Sequence, residues 1–376
     1  MQCRRRGSRV RVLHVVDSLG IGGIERNLVD LVARTGGEFE HEICCIRRAG
    51  ALAAGLEALG ARIHSLGARS GRTLSLVAQV MRLCRARSPD VVHARNWGTI
   101  EAVFAARIAR VPLVVYGEHG PRAWSGLRRS VGRRMVAAAA DVVVAVSNAL
   151  RDYLFTRVKV PADRITVIRN GVDTERFRPR ADREGLRRDR GLAPDTLLIG
   201  GVGRLDPIKN YARLVDAFAE VAKRDPKTRL VLVGDGPERE RLQGEIDSRS
   251  LASRAWITGL RDDVADWLAA MDVFAHVSFA EGLSNAILQA MAVGLPVVAT
   301  AVAVNREAVV GGVSGRLVDP HATADVAAAL SCYGSDPAAR ALHGAAGRRR
   351  VEAEFPLQRM VDGYRSLYAR VAAMGA

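Results

Sequence analysis

The segment Glu281 to Thr300, EGLSNAILQAMAVGLPVVAT, carries residue types in the spacing of an anion site. Ser284 is placed to cap a short helix, so the backbone N–H groups of Asn285, Ala286 and Ile287 lack partners inside it. That end of a helix bears a partial positive charge and favours a phosphate. Glu281 precedes the cap in a loop and Gln289 follows within the helix, so a carboxylate and an amide flank the seat. A second segment, GVGRLDPIKN over Gly201–Asn210, sets Arg204 just beyond a strand and Lys209 at the start of a helix. Two fixed cations there can neutralise a diphosphate, each charge-assisted contact contributing about 1.5–3 kcal/mol. Taken singly, the segments also fit an ordinary strand–helix–strand crossover with an exposed Glu, and surface cations bridging Asp206. Their order after strands of one domain lets a single diphosphate reach Arg204, Lys209, Glu281 and Ser284 together.

Such residues need strands that end beneath them. Val10–Val16 reads as an apolar strand, Leu19–Gly23 as a glycine-rich turn and Ile24–Ala33 as a helix, the opening unit of a doubly wound domain. In that turn Gly22 and Gly23 allow close backbone approach to a phosphate, or simply a tight turn. Further strands are expected at Ile43–Ile46, Val91–His93, Leu113–Tyr116 and Val142–Val146, separated by helical stretches as a parallel sheet requires. This first domain is expected over 1–177. The charge-dense stretch 178–195, RPRADREGLRRDRGLAPD, reads as a linker with a solvated first turn. The pattern restarts over 196–356, with strands at Thr196–Val202, Arg229–Val233, Trp256–Thr258, Val273–Val277, Val297–Ala299 and Arg316–Val318. A helical tail over 357–376 is expected to cross back to the first domain. The fold class is α/β, two Rossmann-like doubly wound domains facing a cleft, with loops 18–23, 203–210, 234–237 and 279–284 directed towards it.

The bulk properties agree with two cores, since 376 residues exceed the size at which one core usually stops growing. Five cysteines show no CxxC pair or metal-ligand spacing, and their odd number argues against a disulfide framework, which suits a reducing cytoplasm. The apolar run Val12–Val16 is broken by Asp17 and too short for a signal peptide. No run approaches the roughly 18 uncharged apolar residues of a membrane span. The expected location is cytoplasmic, soluble or peripheral on the inner face of the cytoplasmic membrane. Of the net charge of +16, residues 1–150 supply 23 Lys+Arg against 11 Asp+Glu, while residues 151–376 hold 33 against 29. The excess therefore sits in the first domain, where it favours an anionic partner such as an acidic membrane, a phosphorylated lipid or nucleic acid. A chain that writes Arg for Lys throughout is the plainer alternative. Arg122, Arg128, Arg129, Arg133 and Arg134 surround Trp124, Leu127, Val131 and Met135, which reads either as a membrane-lying amphipathic segment or as an ordinary surface helix.

GRLDPIKN, VGDGPE, TGLRDDV and EGLSNAILQAMAVGLPVVAT together resemble the signature of the retaining GT-B glycosyltransferases of family 4. The resemblance extends over nearly the whole chain through the Gly22-Gly23 loop, GEHG around His119, VSNAL at Val146–Leu150 and NGVD at Asn170–Asp173. HVVDSLGIGGIERNLVDLV with GEHG is similar to sugar transferases found beside exosortase and exopolysaccharide loci. What this implies is a retaining hexosyltransferase that moves sugar from a nucleotide diphosphate sugar to a hydroxyl acceptor. The implied acceptor is a lipid-linked intermediate in exopolysaccharide or cell-surface glycan synthesis. Carried over by position, Arg204 and Lys209 hold the diphosphate, and Glu281 binds hydroxyls of the donor sugar. The backbone at Leu283, Ser284 and Asn285 contacts phosphate or sugar, Gly22 and Gly23 approach the phosphates, and His119 lies near the transferred sugar beside Glu118. The base rests near Gly234–Pro237 and Gly259–Asp262. Gln289 stands where family members usually carry a second Glu for the ribose diol, and an amide oxygen accepts less strongly than a carboxylate. No DxD motif is present, so no metal and no cofactor is expected.

Two other readings stay open at this level. A nucleotide-sugar epimerase would share the architecture and the diphosphate site, although no clear acid/base pair for sugar-carbon chemistry is visible. A noncatalytic nucleic-acid-binding protein would explain the charge but not the motif set, and aromatic platforms for single strands are lacking. A nicotinamide dehydrogenase fits less well, because GIGGIE at Gly20–Glu25 departs from GxGxxG.

Overall fold

A computed structural model describes residues 9–20, 22–68, 74–120 and 127–374, with 127–129 and 373–374 described by backbone alone. The chain forms two compact α/β units, one of Met1–Arg169 with Gln358–Ala376 and one of Asn170–Leu357.

The first unit is built on β1 (Val10–Val16), β2 (Phe39–Cys45), β3 (Arg62–Ser65), β4 (Val91–Arg95), β5 (Leu113–Glu118), β6 (Val142–Ala145) and β7 (Ile165–Val167). All pair in parallel in the order β3-β2-β1-β4-β5-β6-β7. Their Val- and Ile-rich runs are buried on both faces in β1, β4, β5 and β6, as helices on either side of a parallel sheet demand. The strand order reverses between β1 and β4, the position at which sheets of this kind bind ligands beyond the strand ends. Three histidines interrupt the apolar runs: His14 of β1 lies in register with His93 of β4, and His41 of β2 with Val12. The last helix, Leu357–Met374, brings Tyr364 and Tyr368 against them, with ring centroids 5.6 and 6.0 Å from His93.

The second unit holds β8 (Leu197–Val202), β9 (Thr228–Val233), β10 (Ala255–Ile257), β11 (Val273–His276), β12 (Val297–Thr300) and β13 (Gly315–Val318), parallel in the order β10-β9-β8-β11-β12-β13. The helix Tyr211–Arg224 presents Leu214, Phe218 and Val221 at a spacing of one face to this sheet and buries them all.

The unit boundary falls before Phe177, unlike the sequence expectation. The backbone of Val172 is tied to Phe355 and Leu357 by hydrogen bonds of 3.0 and 3.1 Å, which draws the segment from Asn170 into the second unit. The stretch 178–195 is mostly exposed, but one of its arginines is buried. It contains a helix, Arg183–Arg188, whose Arg187 is 1% exposed and donates to Asp272 at 3.1 Å and to the Ala270 carbonyl at 2.9 Å. Charge density in the sequence misled because a carboxylate far along the chain neutralises this arginine. The strands β3 and β7 escaped notice because they are short sheet edges, RIHS and ITV, with little apolar signal.

Candidate active site

In the second unit the segment following β11 forms the helix Asn285–Ala292, and Ser284 caps it by accepting from the Ile287 N–H at 3.4 Å. Leu283 just ahead is held by its carbonyl, which accepts from the Asn170 side chain at 2.8 Å. Across from it the chain leaves β8, makes the short turn Pro207–Lys209, and passes through Asn210 in the left-handed region at φ 55°. The Asn210 amide donates to the Val277 carbonyl at 3.3 Å, and the Phe279 N–H to the Ile208 carbonyl at 2.9 Å, so the two loops are stitched together.

Stitching places Lys209 against Glu281. Lys209 Nζ donates to Glu281 Oε1 at 2.5 Å, and His276 Nε2 and Ser278 Oγ lie on the same oxygen at 2.9 Å each. Among the described residues Oε2 takes no hydrogen bond, and the Glu281 side chain keeps 13% of its surface exposed. Burial alone would push this carboxyl up, but Lys209 and His276 override it and hold it well below the usual range. His276 is itself lowered, by burial first and by Lys209, with Glu281 opposing. A neutral His276 therefore donates Nε2–H to the carboxylate. The result is a fixed anion with one oxygen anchored by three donors and the other without a hydrogen bond among the described residues.

Arg204 stays outside this cluster, more than half exposed, with Nε 3.2 Å from Asp206. Gln289 is half-buried on the helix beyond Ser284, and Asn285 likewise. Gly234 occupies φ 146°, and a Cβ there would lie 1.9 Å from the Gly203 carbonyl oxygen, so only glycine fits. Its bridge to Gly259 brings together the two loops expected to receive a base. Sequence reasoning overlooked His276, Ser278, Asn210 and Tyr211. The Tyr211 hydroxyl is buried beside Gly203, finds no hydrogen-bond partner among the described residues, and is pushed up by burial and by Glu281. A histidine closing a strand five residues before a glutamate was the available signal for His276.

The remaining expected residues lie in the first unit. Gly22 caps the helix Gly23–Thr35 without a side-chain bond, and Glu25 curls back so that a Cβ on Gly22 would meet its Oε2 at 2.3 Å. His119 follows β5 and is partly exposed, but its Nε2 is buried with no hydrogen-bond partner among the described residues. Burial, then the charge of Arg95, lowers it to about 3, so it is neutral at physiological pH. Glu118 is 1% exposed and bound by Arg133 at 3.1 Å and the Tyr116 hydroxyl at 3.0 Å, which gives it a structural role under the GEHG loop. Burial still raises it overall.

The amphipathic segment needs correction. Its helix, Leu127–Ala139, exposes Val131, Arg134 and Met135, but turns Arg133 inward to Glu118. Residue 133 cannot share the face that 131 and 135 form one turn apart. Arg122 and Trp124 lie outside the described residues, as do the side chains of Leu127, Arg128 and Arg129. Among the described residues no group of three His, Cys, Asp or Glu is placed to hold a metal, and no helix is long and apolar enough to cross a membrane.

Two Rossmann-like α/β units, with parallel sheets of seven and six strands, are the architecture of the GT-B fold. The family model of Glycosyltransferase Family 4 matches residues 21–176, and that of Glycosyl transferases group 1 matches 196–336. The chain belongs to this glycosyltransferase family. It is 35% identical over 318 residues to a D-inositol 3-phosphate glycosyltransferase of Rhodococcus opacus, covering 78% of this chain and 71% of that protein. To the putative glycosyltransferase EpsF of Bacillus subtilis it is 29% identical over 311 residues, 77% of this chain and 78% of the relative. The crystal structure of Anabaena Alr3699/HepE in complex with UDP and glucose shares the fold at a TM-score of 0.83 and 24% identity, over 96% and 100% of the two chains.

Proposed function

We propose that this chain is a retaining glycosyltransferase that takes sugar from a nucleotide diphosphate sugar and delivers it to a hydroxyl on a lipid-linked glycan intermediate of exopolysaccharide synthesis. The observation that carries the donor half is Glu281, whose Oε1 is anchored by Lys209, His276 and Ser278 while Oε2 stays open to accept from sugar hydroxyls. Lys209, Arg204 and the helix start at Ser284 then meet the diphosphate. The HepE structure was solved with UDP and glucose, which supports a uridine nucleotide as the first donor to try.

In the proposed step the bond from the anomeric carbon to the departing phosphate oxygen breaks, and the acceptor oxygen bonds to that carbon from the same face. The acceptor proton passes to the departing phosphate oxygen. Catalysis then comes from stabilising charge on the leaving group and from positioning, with no strong protein base. Neutral His119 suits a hydrogen bond to the sugar, not proton removal. A sugar-nucleotide panel followed by thermal shift, and by transfer to lipid-linked acceptor in the presence of chelator, tests the reading. Binding without transfer, or release of an epimeric sugar nucleotide from donor alone, counts against it.

Attachment to the membrane belongs to the same proposal and is supported by the exposed Val131 and Met135 flanking Arg134. Sedimentation with liposomes should show binding to anionic vesicles above neutral ones. Equal recovery with both would remove this part.

A further inference from the structure

Three arginines among the described residues are almost wholly buried, Arg95, Arg133 and Arg187. Arg133 meets Glu118 and Arg187 meets Asp272, each at 3.1 Å. Arg95, at the carboxyl end of β4 and at the point where the sheet order reverses, meets no carboxylate among the described residues. Its neighbours are His14 Nδ1 at 3.5 Å and the face of Tyr364, whose ring centroid is 5.3 Å away, and its Nε has no acceptor. A cation taken out of water without a counter-charge is costly by several kcal/mol, so such a residue persists where something else compensates.

The surroundings show what that could be. Gly117 lies in register with Arg95, and a Cβ on it would sit 2.9 Å from His93 Nε2 and 3.1 Å from His119 Nε2. Neither nitrogen has a hydrogen-bond partner among the described residues. The Tyr368 hydroxyl lies 2.7 Å from His93 Nδ1, and we assign the phenol as the donor to that nitrogen. His93 must then carry its own proton on Nε2. Two ring nitrogens at the sheet's switch point thus converge over a glycine, beside a buried cation that meets no carboxylate among the described residues, with partly exposed His119 and Gly120 at the edge.

We propose that the first unit binds an oxyanion, one oxygen of a phosphoryl or carboxylate group, between Arg95, His93 and His119 above Gly117. That the group is carried by the acceptor rests on the transferase reading, whereas its binding does not.

The test uses the full-length chain carrying Lys209→Ala, to weaken the anion site of the second unit, and titrates inorganic phosphate or acetate. Thermal unfolding and the histidine ring signals of 15N-labelled protein are followed. Saturable stabilisation with movement of two histidine signals is expected, the stronger of the two anions identifying the group. Adding Arg95→Met should weaken that binding by about tenfold or more and, with no anion present, raise the melting temperature, because an unpaired buried charge is removed. Should that variant not fold, Gly117→Ala serves in its place, since its methyl enters the space between the two ring nitrogens and should abolish the anion response. No saturable response to either anion, or one that survives both substitutions, overturns the proposal. Transfer activity is not read in this experiment, so failure of the transferase reading appears in the transfer assay alone.

Discussion

Lys209 in the second unit and Arg95 in the first are both cations set near the end of a central strand with histidines around them, yet Lys209 has a counter-charge and Arg95 meets none among the described residues. Lys209 rests on Glu281, which is further held by His276 and Ser278. Arg95 has imidazoles and tyrosine rings instead. The difference teaches what each place asks of its ligand. A cation paired with a fixed carboxylate leaves an acceptor for neutral hydroxyls beside a positive end, which suits a sugar joined to phosphate. A cation without one leaves the balancing charge to whatever binds.

The largest effect should come from removing the paired cation. Lys209→Ala is expected to lower kcat/KM by about 10²–10³ while the protein stays folded, as loss of a charge-stabilising donor does. A rate near that of the natural chain would dissolve the contrast, because Glu281 would then need no partner.

Acid should separate the two units next. His14, His41, His93 and His119 are all held below the ordinary value by burial and by Arg95, His41 to about 4. Since the folded pKa is depressed, the unfolded chain binds more protons below pH 6.5, and stability present above that value is lost as pH falls towards 4. His41 alone contributes about 3 kcal/mol to that loss. Glu281 is also depressed, so its contribution is lost only below the ordinary carboxylate value of 4.5. His276 and His343 are lowered in the second unit, fewer than in the first. Hydrogen exchange at pH 7 and 5 should therefore show amides of β1 and β4 opening before those of β8 and β11. The reverse order would break the comparison.

The smallest effect concerns Gln289. Gln289→Glu should tighten sugar-nucleotide binding by about threefold to tenfold if the side chain meets the ribose, a charged acceptor being the stronger one. Unchanged affinity in a titration would place the ribose elsewhere.

Much of the second unit was legible beforehand. Ser284 caps its helix as read, because a cap depends on residue type and immediate neighbours. The strand β1 and both parallel sheets follow from local runs of Val, Ile and Leu. Legibility failed where the partner is distant. Arg133 and Arg187 read as solvated charge, yet Glu118 and Asp272 draw them inside. Arg95 read as nothing at all, although a charged residue closing an apolar strand at the sheet's reversal was a signal in plain view.

By itself the sequence determined the class of fold and the helix start at Ser284, since both rest on local pattern and motif. Only the tertiary structure decided that Lys209 Nζ meets Glu281 Oε1, that Arg204 stays apart on Asp206, and that Arg95 is buried with no carboxylate beside it among the described residues. The physical reason is that burial and pairing are set by residues far apart in the chain, and the charge a side chain feels belongs to its neighbours in space.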